Sequence, residues 1–153
     1  MACEKDWIDI LSALLTPFIA IAAISIAVLQ WKINRNRLKH ELFDRRYEQY
    51  QAVTVFLRSI MRAGKVTMEA QREYLSETTG IEFTFSKEIS DYLNENIWSL
   101  AIDLECAQSE FDGLPVGEER SRLVHKAADL KNQLYTEFNE IDSVFRPYLQ
   151  LSH

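Results

Sequence analysis

The sequence predicts an all-α protein in which an N-terminal transmembrane helix is continuous with a cytosolic antiparallel bundle of three long helices and one short one. Three observations carry that expectation. Residues 10–29 hold no charged side chain in a chain that is 26% charged. No Gly or Pro interrupts the chain between Pro17 and Gly64. The rest of the chain repeats large apolar residues at three- and four-residue steps, the period of a helix with one buried face. A length of 153 residues suits one core plus an anchor, and is short for two globular domains.

The chain divides at the sequence level into a tail at 1–9, a transmembrane helix at 10–31 and a helical domain at 32–153. Twenty apolar residues at about 1.5 Å each span the roughly 30 Å hydrocarbon layer once. Trp7 and Trp31 bracket the segment and place an indole at each membrane interface. A cleaved signal peptide would need a basic start, a shorter apolar run and a small-residue cleavage site, whereas this start carries Glu4, Asp6 and Asp9 against Lys5. A soluble core helix in so charged a chain would rarely run twenty residues without a charge. Lys32, Arg35, Arg37 and Lys39 follow the apolar run, so the basic flank puts the N-terminus outside and the domain in the cytosol. These four cations also suit anionic lipid headgroups, each contributing about 1 kcal/mol at the surface.

One stripe of the transmembrane helix carries Ser12, Thr16, Ala20, Ala23 and Ala27, with Gln30 next. Small residues at that spacing let helix backbones approach closely in lipid, and self-association along this stripe is the expectation, although no Gly-x-x-x-Gly is present. Pro17 forfeits one backbone hydrogen bond and predicts a local kink.

Beyond the membrane, Phe43, Tyr47, Tyr50, Thr54, Leu57 and Met61, flanked by Leu42, Val53, Phe56 and Ile60, give the continuing helix a broad apolar face to about Arg62. Gly64 ends it. Thr67 is a fitting N-cap for a short helix to Thr78. The alternation in residues 81–85 predicts an extended connector whose Phe83 and Phe85 plug the bundle, since one strand without a partner makes no sheet. A helix after Ser86 repeats Ile89, Leu93, Ile97, Leu100, Leu104, Ala107 and Phe111, and ends before Gly113, Pro115 and Gly117. The last begins near Glu118, repeats Leu123, Ala127, Leu130, Leu134, Phe138, Ile141 and Phe145, and stops about Arg146 before Pro147.

Charge is unevenly spread. Residues 32–65 carry nine basic side chains against Glu41, Asp44 and Glu48, whereas residues 66–153 carry seven basic and seventeen acidic ones. An acidic distal domain is a poor nucleic-acid binder, since phosphate neutralisation needs Lys and Arg on the presenting face, and no nucleic acid duplex is expected as a partner. Glu69, Glu73 and Glu77 repel one another at four-residue spacing and read as a solvated face. Cys3 and Cys106 lie on opposite sides of the membrane segment and form no disulfide framework; Cys3 faces an oxidising compartment and Cys106 a reducing one. His40, His125 and His153 lack neighbours at ligand spacing, so no metal site is expected. Glycine-rich phosphate loops and a Gly-x-Ser-x-Gly elbow are absent, so the sequence offers no catalytic residues and no cofactor, and predicts no enzyme.

The most unusual run is Leu42-Phe43-Asp44-Arg45-Arg46-Tyr47-Glu48-Gln49-Tyr50, which mixes aromatics with fixed charges. As structure, its aromatics face the bundle while Arg45 and Arg46 meet carboxylates of the acidic helices. As a site, Arg45, Arg46, Tyr47 and Tyr50 grip an anion or a partner.

With that run, Phe56-Leu57, Gly64-Lys65-Val66, Phe83-Thr84-Phe85 before Glu88-Ile89, the segment 114–121 (Leu-Pro-Val-Gly-Glu-Glu-Arg-Ser) and Phe145-Arg146-Pro147-Tyr148-Leu149, the sequence resembles a widespread uncharacterised family of small bacterial single-pass membrane proteins. The resemblance covers most of the chain. It implies the same bundle in a bacterial inner membrane, and it brings no known activity. The expected function is a membrane-tethered, homo-oligomeric interaction module whose cytosolic bundle binds a partner protein. The alternative is an anti-phage defence effector that oligomerises on a nucleotide signal and perturbs the inner membrane, similar in architecture to some CRISPR-associated membrane effectors.

Overall fold

A computed structural model describes residues 3–150; the side chains of residues 3–6, 8–13 and 16 lie outside that description. The chain is all-helical, with 87% helix and no strand among the described residues. It forms two compact units, one up to Glu41 and one from Leu42 onward.

Helix α1, Cys3–Ala63, takes in the apolar segment, Pro17 and most of the residues read above as a tail. From Leu14 to Leu29 its large apolar side chains are exposed all round. Ser25 donates its hydroxyl to the carbonyl of Ile21 at 2.8 Å, which satisfies that polar group within the helix. The helix is long and apolar enough to cross a membrane.

In the second unit α1 turns one face inward through Val53, Phe56, Leu57 and Ile60, all nearly or fully buried. Gly64 stops it at φ +70°, donating its N–H to the Ile60 carbonyl at 2.8 Å, a left-handed cap that any side chain would strain. Helix α2, Met68–Thr78, starts where Thr67 accepts the Ala70 N–H at 3.3 Å, and buries Tyr74 between Phe56 and Trp98.

Residues 81–85 are not extended. Gly80, at φ +75°, turns the chain into a single helical turn, α3, Ile81–Thr84, closed by the Phe85 N–H on the Ile81 carbonyl at 2.8 Å. Ile81 and Phe85 lie four residues apart on one helical face and enter the core. Phe83 lies between them, points away and is 86% exposed against 6% for Phe85. Of the two predicted plugs, therefore, only Phe85 is one.

Helix α4, Lys87–Tyr92, passes through a π-helical segment, Leu93–Trp98, into α5, Ser99–Asp112. The Ser99 N–H reaches five residues back to Asn94. Each π turn takes up more residues than an α turn. The buried stripe Ile89, Leu93, Ile97 therefore continues at Ala101 rather than Leu100, then at Leu104 and Ala107. Helix α6, Glu118–Phe145, buries Leu123, Ala127, Leu130, Leu134, Ile141 and Phe145, as the periodicity predicts, with Phe138 partly buried.

These faces form one core within the second unit. Its rim is tied by polar pairs between helices: Gln71 to Glu105 at 2.5 Å, Tyr92 to Glu137 at 2.5 Å, and Gln108 to the Gly64 carbonyl at 2.8 Å. No buried side-chain nitrogen or oxygen among the described residues lacks a partner.

Candidate functional site

Three segments singled out in the sequence meet at one place: the α1 turn 46–50, the Phe83-Thr84-Phe85 corner and the turn after α6. Arg46 is the centre. Its Nε donates to the Thr84 carbonyl at 2.7 Å and its Nη1 to the Tyr148 carbonyl at 3.3 Å. Its guanidinium lies 5.5 Å from the centroid of the Phe85 ring. Both carbonyls sit where helical turns end and backbone acceptors lack intrahelical donors, so a guanidinium fork is the complementary group.

One turn further on, Gln49 is the one buried polar side chain among the described residues, and its Oε1 accepts the Thr84 hydroxyl. Tyr50 donates to Asp142 Oδ1 at 2.5 Å and packs its ring 5.5 Å from that of Phe145. Burial, and then the hydrogen bond to Asp142, raise the Tyr50 phenol above its ordinary value. Phe85 meets Phe145 and Tyr148 edge-on at 5.1 and 5.6 Å, and the Tyr148 hydroxyl pairs with Ser86 at 2.7 Å.

Sequence reasoning grouped Arg45, Arg46, Tyr47 and Tyr50, and the structure divides them. Arg46 and Tyr50 point inward and are engaged. Arg45 is exposed and makes no hydrogen bond or ion pair with the described residues. Tyr47 is exposed and stacks between Phe43 and Tyr50 at 6.1 and 6.0 Å. Among the described residues neither arginine meets a carboxylate: Arg46 is held by backbone carbonyls. The residues missed were Gln49 and Thr84. A glutamine at 49, between Arg46 and Val53 on the inward face, was the available signal.

In the first unit, Trp7 and Trp31 are exposed, as are Lys32, Arg35, Arg37 and Lys39. Arg35 lies with its guanidinium carbon 5.6 Å from the Trp31 ring centroid, and Arg37 Nε bonds Glu41 at 2.9 Å. Ala20, Ala23 and Ala27 are exposed; the side chains of Ser12 and Thr16 fall outside the described residues, as does that of Cys3. Cys106 is an exposed free thiol. Among the described residues no group of three or more His, Cys, Asp or Glu is placed to hold a metal ion.

Arg46 can thus fix the corner after α2 and the end of α6 to α1. Two of its five N–H donors are committed to carbonyls, and through them one side chain of α1 ties down both segments. No protein family, curated protein or solved structure matches this chain.

Proposed function

We propose that the chain is a single-pass protein of a bacterial inner membrane, anchored by residues 10–31 with its N-terminus outside. In this reading residues 32–153 form a cytosolic antiparallel bundle that acts as a non-catalytic interaction module, with self-association and a cytosolic protein partner. The observation that carries it is the exposure of nine large apolar side chains from Leu14 to Leu29, each more than half accessible. At about 1.5–3 kcal/mol per side chain, leaving them in water would cost roughly 14–27 kcal/mol, as large as or larger than the whole net stability of an ordinary domain. A membrane removes that cost, and an all-helical backbone meets the requirement that every amide be satisfied in lipid.

The antiparallel reading of the second unit is supported by the order of its contacts. Tyr50 meets Asp142 and Phe145, whereas Gly64, fourteen residues on, lies beside Lys131. The non-catalytic reading is supported by the Arg46 cluster, in which Arg46 is bound to backbone carbonyls, Gln49 to Thr84 and Tyr50 to Asp142.

The test is expression of the full chain in bacteria. The reading expects it to stay with membranes through an alkaline carbonate wash, to chemically cross-link to itself or to a cytosolic protein, and to leave dye-reported membrane potential normal. Release by carbonate, or a monomer that captures nothing, would contradict it. Loss of potential on expression would favour a membrane effector instead.

A further inference from the structure

The basic run after the apolar segment is not uniform around the helix. At about 100° per residue, Lys32, Arg35 and Lys39 fall within an arc of about 60°, with Trp31 beside Arg35, whereas Arg37 and Glu41 lie on the opposite side. Arg37 is bonded to Glu41 at 2.9 Å, so its charge is already answered. Arg35 instead rests on Trp31, 5.6 Å from the ring centroid. A cation–π contact uses none of the guanidinium N–H donors, so the fork that binds two phosphate oxygens at once stays available.

Depth agrees with charge. Four residues of helix separate Trp31 from Arg35, a rise of about 6 Å. The polar layer on each side of a bilayer is about 5–7 Å thick. An indole at the acyl boundary therefore puts Arg35 within the headgroup layer. A zwitterionic headgroup brings its own cation to compete there; an anionic one does not.

We infer that Trp31, Lys32 and Arg35 form a one-sided binding site for the phosphate of an anionic phospholipid, and that Arg37 takes no part in it. The inference rests on the anchor proposed above. It adds a preferred lipid class and a preferred face, so the cytosolic leaflet would fix the rotation of α1 as well as its direction.

The experiment uses the full chain carrying Trp7→Phe, reconstituted in vesicles of phosphatidylglycerol and phosphatidylcholine in equal parts, with brominated acyl chains on one lipid at a time. Trp98 supplies the same background in every variant, and quenching reports which lipid sits against Trp31. Brominated phosphatidylglycerol is expected to quench more strongly than brominated phosphatidylcholine. Arg35→Gln is expected to lower that preference about fivefold, the weight of one interfacial charge, while Arg37→Gln leaves it unchanged. Equal losses in the two variants, or no preference in the parent, would overturn the site and leave the anchor standing. Quenching by neither lipid would place Trp31 outside the bilayer and overturn the anchor reading itself.

Discussion

Arg46 donates its Nε–H to the Thr84 carbonyl at 2.7 Å, and through that bond a side chain of α1 holds the corner that leads from α2 into α4. The same guanidinium reaches the Tyr148 carbonyl beyond the end of α6. Arg46→Ala removes a charged donor from two partly buried carbonyls and is expected to cost about 2–3 kcal/mol. Arg46→Lys restores a charge without the fork and should recover only part of that. Arg45→Ala, at an exposed position, is expected to change stability by less than about 0.5 kcal/mol. Denaturant unfolding of the full chain carrying Trp7→Phe and Trp31→Phe in detergent, followed by Trp98 emission, checks all three; equal effects at 45 and 46 would contradict the assignment.

Phe85 and Phe83 differ by two residues and by their whole environment. Phe85→Ala opens a cavity against Phe145 and Tyr148 and is expected to cost about 3–5 kcal/mol. Phe83→Ala is expected to leave the unfolding midpoint nearly unchanged, because that ring is in solvent.

That contrast marks what could be read from sequence. The stripe from Leu123 to Phe145 and the Thr67 cap were legible because a helical period and a hydroxyl before a helix each have one reading. Residues 81–85 were not: apolar residues at 81, 83 and 85 satisfy a two-residue strand period, while 81 and 85 alone satisfy a helical turn. The Gly80 backbone decides between them, and its φ of +75° is set by the fold. The shift from Leu100 to Ala101 was likewise hidden, since nothing in Leu93–Trp98 announces a π turn. Arg46 was found as a residue but not in its role. Every residue carries a carbonyl, so sequence cannot say which two a guanidinium will meet.

Gly64→Ala places a side chain at φ +70° and is expected to destabilise the second unit by about 1 kcal/mol. Its would-be Cβ lies 3.5 Å from Lys131 Nζ, an ordinary contact, so the cost is conformational rather than steric. Thermal unfolding of Gly64→Ala beside Gly113→Ala, where a Cβ meets nothing within 4 Å and φ is negative, separates the two causes.

Alkaline pH supplies another test. Burial raises the phenol of Tyr74, and burial followed by the bond to Glu137 raises that of Tyr92. A group whose folded value lies above its unfolded value of about 10 gives stability that is complete below pH 10 and lost as pH climbs toward the folded value. Stability is therefore expected to be flat near neutrality in this respect and to fall above pH 10. For the largely buried Tyr74 the limiting slope is about 1.4 kcal/mol per pH unit. Tyr74→Phe should flatten that fall; an unchanged slope in stability against pH between 9 and 12 would contradict it.

The two cysteines flank the apolar segment, one at position 3 and one at 106, and so report its topology directly. In intact spheroplasts, a membrane-impermeant maleimide is predicted to label Cys3 in a Cys106→Ser chain and to leave Cys106 unlabelled in a Cys3→Ser chain until the membrane is opened. Labelling of Cys106 in intact spheroplasts, with Cys3 protected, would contradict an N-out anchor and a cytosolic helical domain.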